Sequence, residues 1–434
     1  MRIIVLLISS LLILSGNSQA GDEAQSNILT MQTCIDKTLA THPDIKQLLF
    51  QMEQKDAAIT SSKADNLPQV FVSAEYDPVK TFVMPQNSRV LTDDHDAMRA
   101  GISLTQRIYD FGSSRGRIKS SELSKEIAEL SLKEAKRFLI YQVQTLYDTL
   151  LLQKEAMKVR EEDIKTKEEL YLQAQELVKN GMKTKADEAS FLASVYSAKD
   201  AYSGAQAAFL KARVLMELYI GETIAPDTEY EDLLEKRSLA ELGHEEEIEL
   251  KANFLEKNSK MQIQKQAIRQ SEALLASVKG ERYGTIDAVA SYTRESNFSD
   301  YDVSMAGIKA QIPIFTGGYL TAKVAQAKKS VLQAEEAYSS QKLKLLNEFE
   351  GTLIDLHRAD ASIEAKKAEM EAAGEASDLM EARYLEGLST YIEVLDATSQ
   401  YLNAKLGLLQ ARYNKSNSRY YIDYMTAKEE NIHE

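Results

Sequence analysis

The sequence repeats itself at a fixed distance. Ala100-Gly101-Ile102 recurs as Ala306-Gly307-Ile308, 206 positions later. The same spacing relates Ile108 to Ile314, Gly112 to Gly318, Gly181 to Gly387, and Ala198-Lys199 to Ala404-Lys405. Each copy has the pattern of a short strand, a turn at glycine, and a long charged helix that ends at a second glycine. The chain is therefore a tandem duplication, and this limits the fold more than any single motif does.

The first residues have the pattern of a secretory signal peptide. Arg2 gives a basic start, an apolar run follows, and Ser18-Gln19-Ala20 matches a small-x-small cleavage site. The apolar run is too short to span a bilayer comfortably, and no later stretch approaches the roughly 18–20 apolar residues of a membrane helix. We therefore expect an exported protein, and any membrane segment it has is expected to be a β-strand.

The duplication and a change in composition divide the chain. Residues 224–248 interrupt the repeat with Pro226, Gly243 and an acidic run, which is typical of a linker. The predicted parts are a signal peptide (1–20), a first repeat (21–222), an equatorial linker packed outside the helical body (223–256), a second repeat (257–426) and a polar tail (427–434).

Composition and motifs exclude several function classes. The formal net charge of -14 argues against a nucleic-acid partner, which requires a basic face. Cys34 is the only cysteine, so it forms no internal disulfide, and we expect it to be a small buried apolar group. No nucleophile elbow, phosphate loop or metal-ligand spacing occurs, so we predict no enzyme activity, no cofactor and no bound metal. His95 lies in a stretch, 77–96, that we predict to be a solvated polar loop.

Four segments alternate between apolar and polar residues, with the apolar residues at even numbers. They are residues 69–76 and 98–108 in the first repeat and 286–293 and 305–314 in the second. Each has about the length of a tilted membrane strand, roughly 9–11 residues. A soluble sheet packed on a core would alternate in the same way. The signal peptide and the polar opposite face favour membrane strands.

Long helices are predicted between the strands and the glycines. The segment 112–180 contains no proline and, after Gly116, no internal glycine, so its helix would be about 100 Å long at about 1.5 Å per residue. The segment 183–220 is predicted to run back along it. The second repeat has the same plan at 318–385 and 389–426, and shorter helices are predicted at 44–66 and 258–279.

These elements require several copies of the chain. An open sheet of four strands leaves backbone groups at its edges unpaired in lipid, which costs several kcal/mol for each group. Outer-membrane barrels begin at about eight strands, so copies must share one barrel, and their helices would form a coaxial tube. The polar residues that we expect in the lumen of this barrel are Arg99, Arg107, Asp287 and Lys309.

The C-terminal part of the chain contains three motifs, Ala382-Arg383-Tyr384-Leu385-Glu386-Gly387, Val394-Leu395-Asp396-Ala397-Thr398 and Ala411-Arg412-Tyr413-Asn414. Earlier positions add the turns 108–112 and 313–318 and Ala40-Thr41-His42-Pro43. In these motifs the chain resembles the TolC family of outer-membrane efflux and secretion channels. The resemblance extends over essentially the whole mature chain. It implies an α+β membrane protein in the outer membrane, a homotrimer in which each chain gives four strands to a twelve-stranded β-barrel. This barrel continues into a long periplasmic α-helical barrel of coiled-coil type.

The resemblance also implies residue roles at the periplasmic end. Glu393 and Asp396 match the acidic constriction, and Asp187 and Tyr384 match partners in a hydrogen-bond network that closes it. At the network position where the best-known member has arginine, this chain has Ser389, so the corresponding salt bridge is not expected. Gly181, Met182, Gly387 and Leu388 form the tip turns, which are expected first as helix ends and, from the family, as adaptor contacts.

Two functions therefore remain possible from the sequence. The first is an exit duct that conducts substrates passively from an inner-membrane pump, of the RND or ABC type, and a periplasmic adaptor to the exterior. The second is a secreted or periplasmic coiled-coil scaffold or adaptor with a small soluble β domain. Alternation and helix length fit both, and the family motifs favour the duct.

Overall fold

The computed structural model describes residues 28–86, 89–231, 243–297 and 300–427. The predicted signal peptide, the central part of the predicted linker and all but the first residue of the predicted tail lie outside these ranges. In the described part of the chain, no helix combines the length and the apolar character that crossing a bilayer requires.

The duplication predicted from the sequence is visible in the elements. The first repeat contains β1 (Ile28–Leu29), α1 (Met31–Thr41), α2 (Pro43–Ala64), β2 (Gln69–Gln86), β3 (Arg89–Tyr109), α3 (Ser113–Lys179) and α4 (Lys185–Ile220). β4 (Glu229–Tyr230) and α5 (His244–Lys257) follow. The second repeat contains α6 (Ser259–Gly280), a 3-10 turn (Glu281–Tyr283), β5 (Thr285–Ser296), β6 (Asp300–Gln311), α7 (Tyr319–Leu385) and α8 (Tyr391–Thr426). Equivalent helices have equal lengths, 67 residues for α3 and α7, 36 for α4 and α8, and 22 for α2 and α6.

Glycines mark where each long helix begins. Gly112 and Gly318 precede α3 and α7, and both have a φ of 86°, in the left-handed region that glycine adopts without steric cost. The chain can therefore turn sharply from a strand into a helix. The long uninterrupted helices are then stabilised by packing, because α3 lies against α4, α2 and α6, and α7 lies against α8 and α6.

The four long strands form one antiparallel sheet in the order β2-β3-β5-β6. The register places even-numbered residues opposite one another: Val72 pairs with Ile102, Ile102 with Tyr292, and Tyr292 with Ser304. The predicted alternation is therefore confirmed along this row. β2 and β6 are the outer strands, and each has a single neighbour within the described chain.

The predicted polar loop at 77–96 is wrong. β2 and β3 continue through it as a paired hairpin, in which Lys80 lies opposite His95 and Gln86 opposite Arg89. Pro78 lies at a register shift in β2, and Pro85 lies farther along the same outer strand. Proline is tolerated at such positions because its missing N–H faces away from the neighbouring strand or into the irregularity. With 18 and 21 residues, β2 and β3 are also longer than the predicted strands.

The main apolar core lies around the middle of α3. Cys34 has no exposed surface there, as predicted, and burial raises the pKa of its thiol to about 12. The buried Tyr147 hydroxyl donates hydrogen bonds to the carbonyl oxygens of Leu29, at 2.7 Å, and Glu231, at 3.1 Å. These bonds attach the small parallel sheet of β1 and β4 to α3. On the other side, Phe254 of α5 stacks on Phe349 of α7 with ring centroids 4.3 Å apart.

Candidate functional site

The two long hairpins end in turns of the same geometry. After α3, Gly181 N–H donates to the Val178 carbonyl at 3.0 Å and Met182 N–H to the Leu177 carbonyl at 2.9 Å. After α7, Gly387 and Leu388 repeat these bonds to Tyr384 and Arg383 at 3.0 and 2.8 Å. Both glycines are left-handed, with φ of 74° and 81°, so each turn is a Schellman motif. Met182 and Leu388, at the turns, are 61% and 65% exposed.

Each turn continues into a helix that begins with a capping box. The Asp187 carboxylate accepts the Thr184 N–H at 3.0 Å, and the Thr184 hydroxyl accepts the Asp187 N–H at 3.3 Å. Glu393 and Thr390 form the same pair, with the Thr390 N–H 2.7 Å from the carboxylate. These bonds, from the backbone and from the Thr390 hydroxyl, lower the pKa of Glu393, and the nearby charge of Arg383 lowers it further. Both acids thus stabilise the first turns of α4 and α8.

Glu393 and Asp396 share the exposed face of α8. They are three residues apart, which places them on neighbouring positions of one helix face. The residues that follow each of them, Val394 and Ala397, are buried, at 0% and 9% exposure. The Asp396 carboxylate accepts a hydrogen bond from the Gln400 side chain at 2.8 Å. The structure therefore brings the two predicted constriction acids together on one surface.

A small apolar cluster packs the two hairpins against each other near the tip. It contains Leu170, Ala174, Phe191, Tyr384 and Val394. The rings of Phe191 and Tyr384 meet edge to face with centroids 5.4 Å apart. Tyr384 is fully buried, and its hydroxyl has no hydrogen-bond partner among the described residues. Burial raises the pKa of Tyr384 to about 12, and the negative charge of Asp187 adds to this effect.

The predicted network residues are neighbours but are not hydrogen-bonded to one another within one chain. The carboxylate of Asp187 accepts hydrogen bonds from Thr184, while no described residue pairs with the Tyr384 hydroxyl. Ser389 is buried, with 6% exposure, and its hydroxyl donates to the Met380 carbonyl of its own hairpin at 3.2 Å.

Lys183 is a tip residue that the sequence predictions missed. Its ammonium group donates to the Ser389 carbonyl at 3.0 Å and lies 4.3 Å from the centroid of the Tyr384 ring. The signal that could have identified it is the repeat, because Lys183 and Ser389 are equivalent positions 206 residues apart.

Three of the four polar residues predicted for the lumen, Arg99, Arg107 and Asp287, form ion pairs across the sheet. Arg107 contacts Asp287 at 3.2 Å, and Arg99 contacts Glu295 at 3.1 Å and Glu75 at 3.5 Å. Lys309 lies directly opposite Asp287 in the register. All of these residues have odd numbers, so they share the face opposite the apolar row. Sequence alone did not identify Glu295, although the same parity rule would have placed it on this face.

The geometry of this chain corresponds to a known protein family. The family model described as Outer membrane efflux protein matches residues 34–222 and 251–423, which together are most of the sequence. The chain belongs to the outer membrane efflux protein family. Its resemblance to the TolC family is thereby confirmed. The sequence left two functions open, a channel and a scaffold, and this family consists of channels. Its members are not enzymes.

Individual relatives agree with this assignment. Outer membrane protein TolC of Escherichia coli is 33% identical over 129 residues, which are 29% of this chain and 26% of TolC. Outer membrane efflux protein BepC of Brucella suis is 22% identical over 414 residues, 94% of this chain and 87% of BepC. The crystal structure of VceC from Vibrio cholerae has the same fold, with a TM-score of 0.78 and 14% identity over 91% of this chain and 95% of VceC.

This efflux protein is thus an outer-membrane channel protein with a periplasmic helical extension. The predicted α+β fold of tandem repeats, with four strands and long helices, is confirmed for the single chain.

Proposed function

We propose that the chain is the exit duct of a tripartite efflux or type I secretion system. The observation that carries this proposal is the sheet, whose outer strands β2 and β6 each have one neighbour within the described chain. β3 leads through a single glycine turn into the 67-residue helix α3, and β6 leads through a short turn into α7. A water-filled channel along the polar face of the sheet would therefore continue along the helices.

Three copies would complete the duct. Lipid does not tolerate unpaired strand edges, so the edge at β2 of one copy pairs with the edge at β6 of the next, giving a shared twelve-stranded barrel. The even-numbered face is suited to lipid, because Val72 and Ile308 are 81% and 74% exposed in the single chain. On the other face, Arg99, Arg107, Asp287 and Lys309 would line the water-filled lumen.

The opposite end of the duct would be closed by the helical tip. Tyr384 is buried, and its hydroxyl has no partner in the part of the chain that the structure describes; a buried hydroxyl without a partner costs about 1–3 kcal/mol. Closure of the trimer would supply its partner, and Asp187 is the acid whose charge already acts on it. Asp187, Tyr384 and Ser389 would thus form the closing network at the tip.

Glu393 and Asp396 would form the constriction. Three copies bring six carboxylates into one ring, and such a ring attracts cations and repels anions. Both side chains are exposed in the single chain, so they are free to face a common axis.

The tip turns would receive the adaptor. Gly181 and Gly387 hold Met182 and Leu388 at the turns, and these two apolar side chains are largely exposed. A periplasmic adaptor protein would cover them, and an inner-membrane pump of the RND or ABC type would supply the energy and select the substrate.

Ion selectivity of the purified protein in planar bilayers tests this function. We expect a cation-selective channel, and the pair of substitutions Glu393→Gln and Asp396→Asn should reduce cation preference and cation block. Glutamine also forms capping boxes, so Glu393→Gln changes the charge more than the start of α8. Glu53→Gln, which removes a charge from exposed α2, is the matched control and should leave selectivity unchanged. A protein that inserts in bilayers yet carries no current would refute the duct.

A further inference from the structure

We propose that Lys183 is a positioning residue that holds the two tip hairpins of one chain together in the closed state. The set of Lys183, Tyr384 and Ser389 is called the Lys183 bridge below. This inference rests on the proposed function, since it assumes that the tip is the gate. It assigns to Lys183 the role of the cation that holds the gate closed in a chain that has serine at position 389.

The contacts of Lys183 cross from one hairpin to the other. Lys183 belongs to the turn between α3 and α4, whereas both of its partners belong to the hairpin of α7 and α8. One partner is the Ser389 carbonyl at 3.0 Å, and the other is the face of the Tyr384 ring, whose centroid lies 4.3 Å from the ammonium. A hydrogen bond from a charged donor and a cation–π contact therefore act at the same place.

Both partners are held rigidly. Tyr384 is fully buried and packs against Phe191 of α4, so its ring has little freedom to follow a moving ammonium. Ser389 is buried, and its hydroxyl is fixed to the Met380 carbonyl. The carbonyl and the ring are thus a preformed site for one cation. Separation of the hairpins would break both contacts at once.

Two neighbouring cations, Arg383 and Lys185, make no such contact with the other hairpin among the described residues. The Arg383 guanidinium reaches the Leu388 carbonyl at 3.5 Å, but both residues belong to the same hairpin. Lys185 begins α4 and is exposed. Of these three cations, Lys183 is the one whose contacts among the described residues join the two hairpins.

The duplication explains why the cation comes from the first repeat. Lys183 and Ser389 occupy equivalent places in the two turns, two residues after Gly181 and Gly387. The cation is present in one copy of the turn, and the backbone of the equivalent residue in the other copy accepts its hydrogen bond. A serine at 389 is small enough to be buried and to leave its carbonyl available.

The resting open probability of the full-length protein in planar bilayers tests the bridge. Lys183→Met keeps the length of the side chain but removes the charge, and it should raise the open probability by roughly tenfold or more, a factor that corresponds to about 1.4 kcal/mol. Lys183→Arg should remain close to the wild type, because arginine also donates to carbonyls and stacks on aromatic rings. Lys185→Met is the matched control and should have no effect.

Two failures can be told apart. If Lys183→Met conducts at the resting level of the wild type, the bridge is wrong while the duct stands. If none of the proteins conducts, the proposed duct fails, and the bridge fails as a gate element with it.

A distance measurement tests the bridge without current. Spin labels at Met182→Cys and Leu388→Cys, diluted with unlabelled protein, should give a narrow distance distribution in the wild-type background and with Lys183→Arg. With Lys183→Met the distribution should broaden towards longer distances. An unchanged distribution would contradict the bridge.

Discussion

Helices α3 and α6 are in close backbone contact at Gly116. A Cβ atom added there would lie 2.6 Å from the Ser277 backbone nitrogen and 2.7 Å from the Ala273 carbonyl oxygen. Both are backbone atoms of α6, so they cannot rotate away as a side chain would. The equivalent position in the second repeat is Ala322, which is exposed. Gly116→Ala is therefore expected to push α3 and α6 apart near the start of α3.

The magnitude follows from two opposing effects. Alanine favours a helix over glycine by about 1 kcal/mol. Against this, a contact of 2.6 Å is about 0.9 Å shorter than the optimal carbon separation of roughly 3.5 Å, so the backbone of α6 must move. Overpacking of this kind costs about 1–3 kcal/mol, and a backbone clash belongs at the upper end. We expect a net loss of about 2 kcal/mol for each chain.

The assay compares the unfolding of Gly116→Ala and Gly351→Ala with that of the wild type by urea titration in detergent. Gly351 is an exposed glycine inside α7, and a Cβ atom added there meets nothing within 4 Å. The same chemical change should therefore stabilise the protein by about 0.5–1 kcal/mol at this position. Equal shifts for the two variants, or a stabilising effect of Gly116→Ala, would refute the close packing of α3 and α6.

Three further predictions follow from the described contacts. Because hydrogen bonds from Thr390 lower the pKa of Glu393, its carboxylate stays charged as pH falls below the ordinary pKa of 4.5. Thr390→Val should therefore move the loss of cation selectivity, measured as reversal potential against pH, to higher pH. An unmoved midpoint of this titration would contradict the role of Thr390. The stabilisation from this capping box is present above the unfolded-state pKa and is lost as pH falls through the lower folded-state pKa. Cys34 should react with maleimide only after unfolding, since its thiol is fully buried and its pKa is raised to about 12; rapid labelling of the folded protein would contradict its burial. Tyr384→Phe should increase resting conductance if closure pairs the hydroxyl with Asp187, and unchanged conductance would remove Tyr384 from the network.

Periodic features were the ones that the sequence predicted correctly. The helices of both repeats and the parity of the strands follow from apolar spacing, and the turn glycines follow from their recurrence at 206 positions. The capping boxes were not predicted, although the sequence carries their signal, because Thr184 and Thr390 are each followed three residues later by an acid. These features depend on neighbours along the chain, so local patterns carry them.

Features that depend on distant contacts were missed. The acids and prolines of residues 77–96 resemble a loop, and only the pairing of β2 with β3 reveals the strands. Both prolines lie in the outer strand β2, and the acids of β3 precede Met98, where the register with β5 begins. Lys183 resembles any other lysine on a charged helix turn. Its role depends on two partners about two hundred residues away, and no local pattern indicates them.

The central claim is that separate copies of this chain complete one duct, because the sheet of a single copy ends at β2 and β6. Native mass spectrometry of the detergent-solubilised protein measures the copy number directly. We expect a particle of three chains that conducts ions when it is inserted in a bilayer. A conducting particle with the mass of one chain would contradict it.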